Sequence, residues 1–204
     1  MKRLSKIISL FFMVSFLIGI NLSIAEEKNY KIVKLVNDKV ITSYDLEQRV
    51  KLFAIINQVN IDQNNYKGIA SKVLNNIIDE LLQLEKIQEY KIIVSEKEVN
   101  NYLQRMYNNN DSNVNELFNV LKENKINSNI LKDYIKVQIA WQDLTARLYY
   151  RSSNVNEDDL IKYLQDNPTS SKEDATNIML QNQIQLRAEK YLRDIRSEAN
   201  IENR

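Results

Sequence analysis

Residues 32–53, IVKLVNDKVITSYDLEQRVKLF, set the reading of everything around them. Ile32–Val36 and residues 40–42 are short β-type runs, and Asn37-Asp38 between them is a turn dipeptide. Together they predict a β-hairpin. Thr42 then stands as a helix N-cap with Asp45 at the third helical position, where each can satisfy the other's orphan amide. Leu46, Val50, Phe53 and Ile56 follow at helical spacing and predict a helix over 43–59.

Upstream of this stretch lies a different kind of segment. Residues 1–6 carry Lys2, Arg3 and Lys6 and no acid, and residues 7–20 (IISLFFMVSFLIGI) carry no charge. Ser23 and Ala25 then occupy small-residue positions before Glu26. This is the pattern of a secretory signal peptide over residues 1–25, with cleavage expected after Ala25. A retained membrane anchor is the other reading, but the apolar run falls short of the ~20 residues that span a bilayer. No second run of that kind occurs, so no stable membrane insertion is expected after cleavage, and the exported chain is expected in the periplasm, with secretion beyond the outer membrane the other destination that a signal of this kind allows.

The signal segment holds three basic residues and no acid, so its removal leaves 25 basic against 27 acidic residues, a net charge of −2. That balance offers no cationic footprint for nucleic acid and no basic face for anionic lipid. There is no Cys, hence no disulfide framework. Two Gly and one Pro in the whole chain favour long uninterrupted helices over a many-stranded sandwich or barrel.

The fold class expected is mainly α: a multi-helix domain with a short N-terminal hairpin and a C-terminal helix packing back on it. Residues 68–90 carry Val73, Ile77, Leu81, Leu84 and Ile87 plus Leu74, Ile78 and Leu82, a stripe wide enough to mark the central helix. Ser95 and Glu98 form a capping box for a helix to about Tyr107. An Asn-rich loop over 108–113 precedes a helix over 114–123. The next helix, 129–151, shows Ile130, Tyr134, Val137, Trp141, Leu144 and Leu148 spaced alternately four and three apart. That seam is expected in the core, as is Phe53. Asn156 with Asp159 caps a shorter helix to about Asp166, and Ser171 with Asp174 begins the last one, to about Ala199. The domain organisation expected is signal 1–25, helical domain 26–166, short linker 167–172, and a C-terminal helix and tail, 173–204, completing the same domain. Ala199, Asn200 and Ile201 are expected to pair beside the strand Ile32–Val36, because a two-stranded hairpin is marginal alone.

Read together, these segments resemble the N-terminal domain of the SurA-type periplasmic chaperones. The hairpin followed by Thr-x-x-Asp-Leu at 42–46 matches that family's entry. VLNNIIDELLQLEK (73–86) resembles its central helix, YKIIVSEKEVNNY (90–102) its link into the next helix, 129–149 its closing helix, and RAEKYLRDIRSEANI (187–201) its C-terminal helix and last strand. The five pieces occur in the family's order and cover most of the chain after residue 25. The family usually carries parvulin-type prolyl isomerase domains between its N-terminal and C-terminal pieces. Here only the linker 167–172 separates the helical domain, 26–166, from the C-terminal helix and tail, 173–204, and the chain has no His, whereas parvulin sites are associated with paired histidines. The resemblance therefore implies a core-only form with no isomerase activity.

Other chemistry finds little support. Without His or Cys, Ser-His and Cys-His nucleophiles and imidazole or thiolate metal sites cannot be built. The pairs Asp79-Glu80 and Asp158-Asp159 read as solvated helix faces and helix N-terminal charges. The stretch from Asp111 lacks the Gly and the closing Glu of an EF-hand, having Glu116 and Lys122 there. No enzyme, cofactor or metal is expected. The resemblance implies ATP-independent binding of unfolded outer-membrane β-barrel precursors. Tyr102, Met106, Tyr107 and Phe118, around the Asn-rich loop, are the candidate client contacts; ordinary core membership of their helices is the competing reading. The alternative function is a non-catalytic scaffold module of a cell-envelope complex.

Overall fold

The computed structural model describes residues 30–108 and 113–203. Residues 1–29, which include the signal segment and its expected cleavage point, residues 109–112 and Arg204 lie outside the described residues. β1 (Ile32–Val36) and β2 (Lys39–Thr42) form the antiparallel hairpin, with Leu35 opposite Val40 and Val36 opposite Lys39. Asn37 turns the chain at φ 52°, a left-handed conformation that Asn tolerates better than most residues. Its side chain then ties three parts together. Nδ2 donates to Glu85 Oε2 at 2.9 Å, and Oδ1 accepts from the Asn200 amide at 2.9 Å.

The hairpin feeds α1 (Ser43–Asn57) through the capping box read from the sequence. Thr42 Oγ1 accepts from the Asp45 amide at 3.2 Å, and Asp45 Oδ2 accepts from the Thr42 amide at 2.9 Å. α2 (Tyr66–Glu89) starts two residues earlier than the sequence placed it. Asp62 and Asn65 cap each other's amides in the preceding turn and bring Tyr66 into the helix. α3 (Glu96–Asn108), α4 (Val114–Glu123) and α5 (Ser128–Tyr149) follow, and α5 tightens into a 3-10 turn at Tyr150–Ser152 rather than continuing through Arg151. α6 (Glu157–Asp166) and α7 (Lys172–Glu198) come last.

With so few glycines, the helices end on unusual residues. Lys91 and Lys125 adopt φ of 54° and 56° just beyond α2 and α4. In each case the next amide closes a Schellman ring, Ile92 onto Ile87 O at 3.0 Å and Ile126 onto Leu121 O at 2.8 Å. The second of these turns is pinned by Gln48, which is 4 % exposed. Gln48 Nε2 donates to Lys125 O, and its Oε1 accepts from the Asn127 amide, both at 3.4 Å.

α2 is the central helix, as its wide apolar stripe required. It packs against α1, α5, α7 and β1, with Ile78 and Leu82 fully buried beside Val36, Ile41, Leu131 and Leu144. Each such side chain contributes about 1.5–3 kcal/mol by leaving water. α7 packs back on α2 and α5. Tyr191 stacks on Trp141 at 5.7 Å between ring centroids with 4° between planes, and Arg196 pairs with Asp79. β3 (Ile201–Asn203) joins the far side of β1, giving an antiparallel order β2-β1-β3. The third strand lies beside β1 as expected, but it covers Ile201–Asn203 rather than starting at Ala199. Helix geometry persists to Glu198 and Ala199 ends it, so pairing starts with Asn200 O accepting from the Asn37 amide and continues with Ile201 opposite Val36.

Candidate functional site

α1, α2 and α5 pack against one another. Where the three meet, their apolar faces do not close. Three adjoining depressions result, of about 290, 330 and 460 Å³. The first lies against Phe53, Ile56 and Asn76. The second is walled by Val40, Leu81, Leu84, Ile130 and Val137. The third shares Leu84 and Val137 with the second and runs on to Ile92, Ile93 and Ala140. Arg49 and Tyr134 line both the first and the second, so those two adjoin as well. Its α2 wall extends from Lys72 to Gln88, about 24 Å at the helical rise. Ile93, at the far end, is 87 % exposed, and Val40 on edge strand β2 is 46 % exposed.

Local sequence explains why the groove forms. Leu81 and Leu84 widen the α2 stripe beyond what α1 and α5 cover. The link after α2 is the apolar run Ile92-Ile93-Val94, of which Val94 is buried and Ile93 is left outside. On α5 the seam read from the sequence divides. Trp141 and Leu144 are buried, whereas Ile130, Tyr134 and Val137 are only partly buried and line the groove. The core-facing residues ahead of Trp141 are instead Leu131 and Ile135. Periodicity marked the apolar face correctly but not what covers it.

A charged pair lies in the groove lining. Arg49 pairs with Glu80, each with 15 % of its side chain exposed, and the guanidinium sits 4.8 Å from the Tyr134 ring centroid. Burial pushes the Glu80 carboxyl up from its ordinary 4.5 to about 7, against the pull of Arg49, which lowers it. Tyr134 is pushed up as well, mainly by burial. A pair of this kind resists complete closure of the apolar walls, which would strip it of its remaining water. The Asp79-Glu80 dipeptide is therefore not a solvated face. Both acids are committed to ion pairs between helices, Asp79 with Arg196 and Glu80 with Arg49. Asp158 and Asp159 do sit at a helix N-terminus, where Asn156 Oδ1 accepts from both amides.

The four residues singled out from the sequence are not gathered in one place. Tyr102, Met106 and Tyr107 lie on α3, with Tyr102 and Met106 one turn apart. Tyr102 and Tyr107 are partly buried against the core, and Met106 is 46 % exposed. Phe118, on α4, lines a separate depression with Tyr44 and Ile126, and Lys132 Nζ lies 5.8 Å from its ring centroid.

Known proteins share this chain's pattern. Chaperone SurA of Hydrogenovibrio crunogenus is 30 % identical over 139 residues, which cover 66 % of this chain and 30 % of that protein. The chain thus matches under a third of the length of that curated relative. A solved structure described as one of two structurally related SurA-like chaperones of Campylobacter jejuni, the virulence factor PEB4 and the periplasmic protein Cj1289, aligns with a TM-score of 0.46 at 14 % identity, over 85 % of this chain and 98 % of that one. The family described as the SurA-like N-terminal domain matches residues 1–145. With that match over most of its length, the chain belongs to the SurA-like N-terminal domain family.

Proposed function

We propose that this chain is a non-enzymatic periplasmic chaperone module that holds unfolded outer-membrane β-barrel precursors in the groove along α2. The open groove itself carries the reading: its α2 wall, largely apolar and interrupted by the Arg49–Glu80 pair, runs about 24 Å, which matches roughly seven residues of extended chain. Barrel strands alternate apolar and polar side chains, so an extended precursor presents every second residue to one wall. Holding of this kind acts by mass action, since binding the unfolded chain lowers its free concentration without ATP. Family membership and the printed name of the SurA relative support a chaperone role, and the basic-apolar-small pattern of residues 1–25 supports export. Met106, exposed on α3 beside half-buried Tyr102, is proposed as a secondary contact, with Tyr107 and Phe118 contributing adjustable edges.

The test dilutes a urea-unfolded outer-membrane barrel protein into buffer with and without residues 26–204, and follows light scattering. The reading predicts suppression at near-stoichiometric ratios, unchanged by ATP. A folded preparation that leaves the scattering unaltered would move the assignment to a scaffold module.

A further inference from the structure

A second cavity, of about 530 Å³, opens between α5 and α7, separate from the α2 groove. Its chemistry is different. Gln138 and Gln142 line one side, one helical turn apart, Gln181 and Gln185 line the other with the same spacing, and Gln83 of α2 contributes between them. Gln83 is 7 % exposed, yet its Oε1 is buried with no hydrogen-bond partner among the described residues. A buried acceptor left unpaired is costly and rare. Glu189 is the one charged residue of the described lining, and Gln185 Nε2 donates to it at 3.1 Å.

We propose that this cavity is a binding site for the main chain of an extended polypeptide. A primary amide carries a donor and an acceptor, as a peptide group does, so a lining rich in them can pair with a backbone whatever its side chains. The near absence of charge disfavours ions. The spacing also fits. Glutamines four apart on a helix are separated by about 6 Å along its axis. Alternate peptide groups on one edge of an extended chain recur at about 6.6 Å. Helices and paired strands have no free main-chain groups to offer, so the site selects unfolded chain. This deepens the chaperone reading and rests on it: the α2 groove takes apolar side chains, and the glutamine cavity takes backbone.

The chain's only tryptophan, Trp141, lines the cavity, so its fluorescence reports occupancy directly. The purified chain is titrated with a soluble Gly/Ser/Thr peptide that has no apolar side chain, and with the same peptide N-methylated at alternate residues. Trp141 emission should shift with the first and not with the second. Gln83→Leu, and separately Gln138→Leu with Gln181→Leu, should weaken the peptide by about fivefold or more, the loss of roughly one hydrogen bond, with the thermal midpoint of Gln83→Leu unchanged or raised. Equal response to both peptides, or no response while the same preparation still suppresses barrel-protein aggregation, would overturn the backbone site and leave the groove reading intact. Loss of both activities would remove the chaperone reading as well.

Discussion

Glu80 keeps only 15 % of its side chain exposed, beside Arg49 and between apolar walls. With a native value near 7 against an ordinary 4.5, the folded state binds its proton more tightly than the unfolded state does. The sign follows: between those values the native chain holds more protons, so stability falls as pH rises through the window and is level above it. The expected loss is about 3 kcal/mol from pH ~4 to pH ~8, read as a drop in urea midpoint that Glu80→Gln abolishes. Arg49→Met leaves the carboxylate without its counter-charge and should cost about 3–5 kcal/mol at pH 8, and much less at pH 5, where Glu80 is protonated. Asn37 offers a simpler case. Asn37→Gly keeps the left-handed turn but loses the bonds to Glu85 and Asn200. Chemical denaturation should show a loss of about 1–2 kcal/mol, and an unchanged midpoint would mean that these bonds merely replace water. At this scale much was legible. Thr42 with Asp45 and Ser95 with Glu98 form the reciprocal bonds their spacing required. Gln48 was not, because its partners at 125 and 127 are brought to it only by tertiary folding.

Among the elements, α7 shows how far local pattern reaches. Its existence, its Ser171 cap and its return to the body were readable from an apolar face that no solitary helix can bury. The strand after it was readable too, but its residues were not fully placed, since its start depended on where the helix stopped. The Trp141–Tyr191 stack and the Arg196–Asp79 pair hold the docked half of the helix. Tyr191→Ala should cost about 2 kcal/mol, and deletion of residues 172–204 should lower the thermal midpoint of the whole domain by exposing α2 and β1. A truncated protein that melts where the parent does would contradict the docking. The division of the α5 seam follows the same logic. Ile130, Tyr134 and Val137 obey helical spacing as faithfully as Trp141 and Leu144 do, but the space opposite them is left open. A one-dimensional pattern carries no record of that gap.

For the molecule as a whole, a helical body capped by a small sheet leaves a row of largely apolar depressions along its central helix, and the proposed activity depends on that groove being where unfolded chain binds. The three-stranded sheet and α7 tie the two ends of the described residues together around α2, and helices rather than loops supply most of the groove lining. The most direct measurement is site-specific photo-crosslinking. A photoreactive residue is placed at Val137 or Ile93 in the groove and, in separate preparations, at exposed Ile161 on α6, which is 49 % exposed but lies outside the groove lining. Each is irradiated with a urea-diluted barrel precursor. Strong adducts from positions 137 and 93 and weak ones from 161 are the predicted result. Equal labelling at all three, or labelling at 161 alone, would contradict the claim that the α2 groove holds the client.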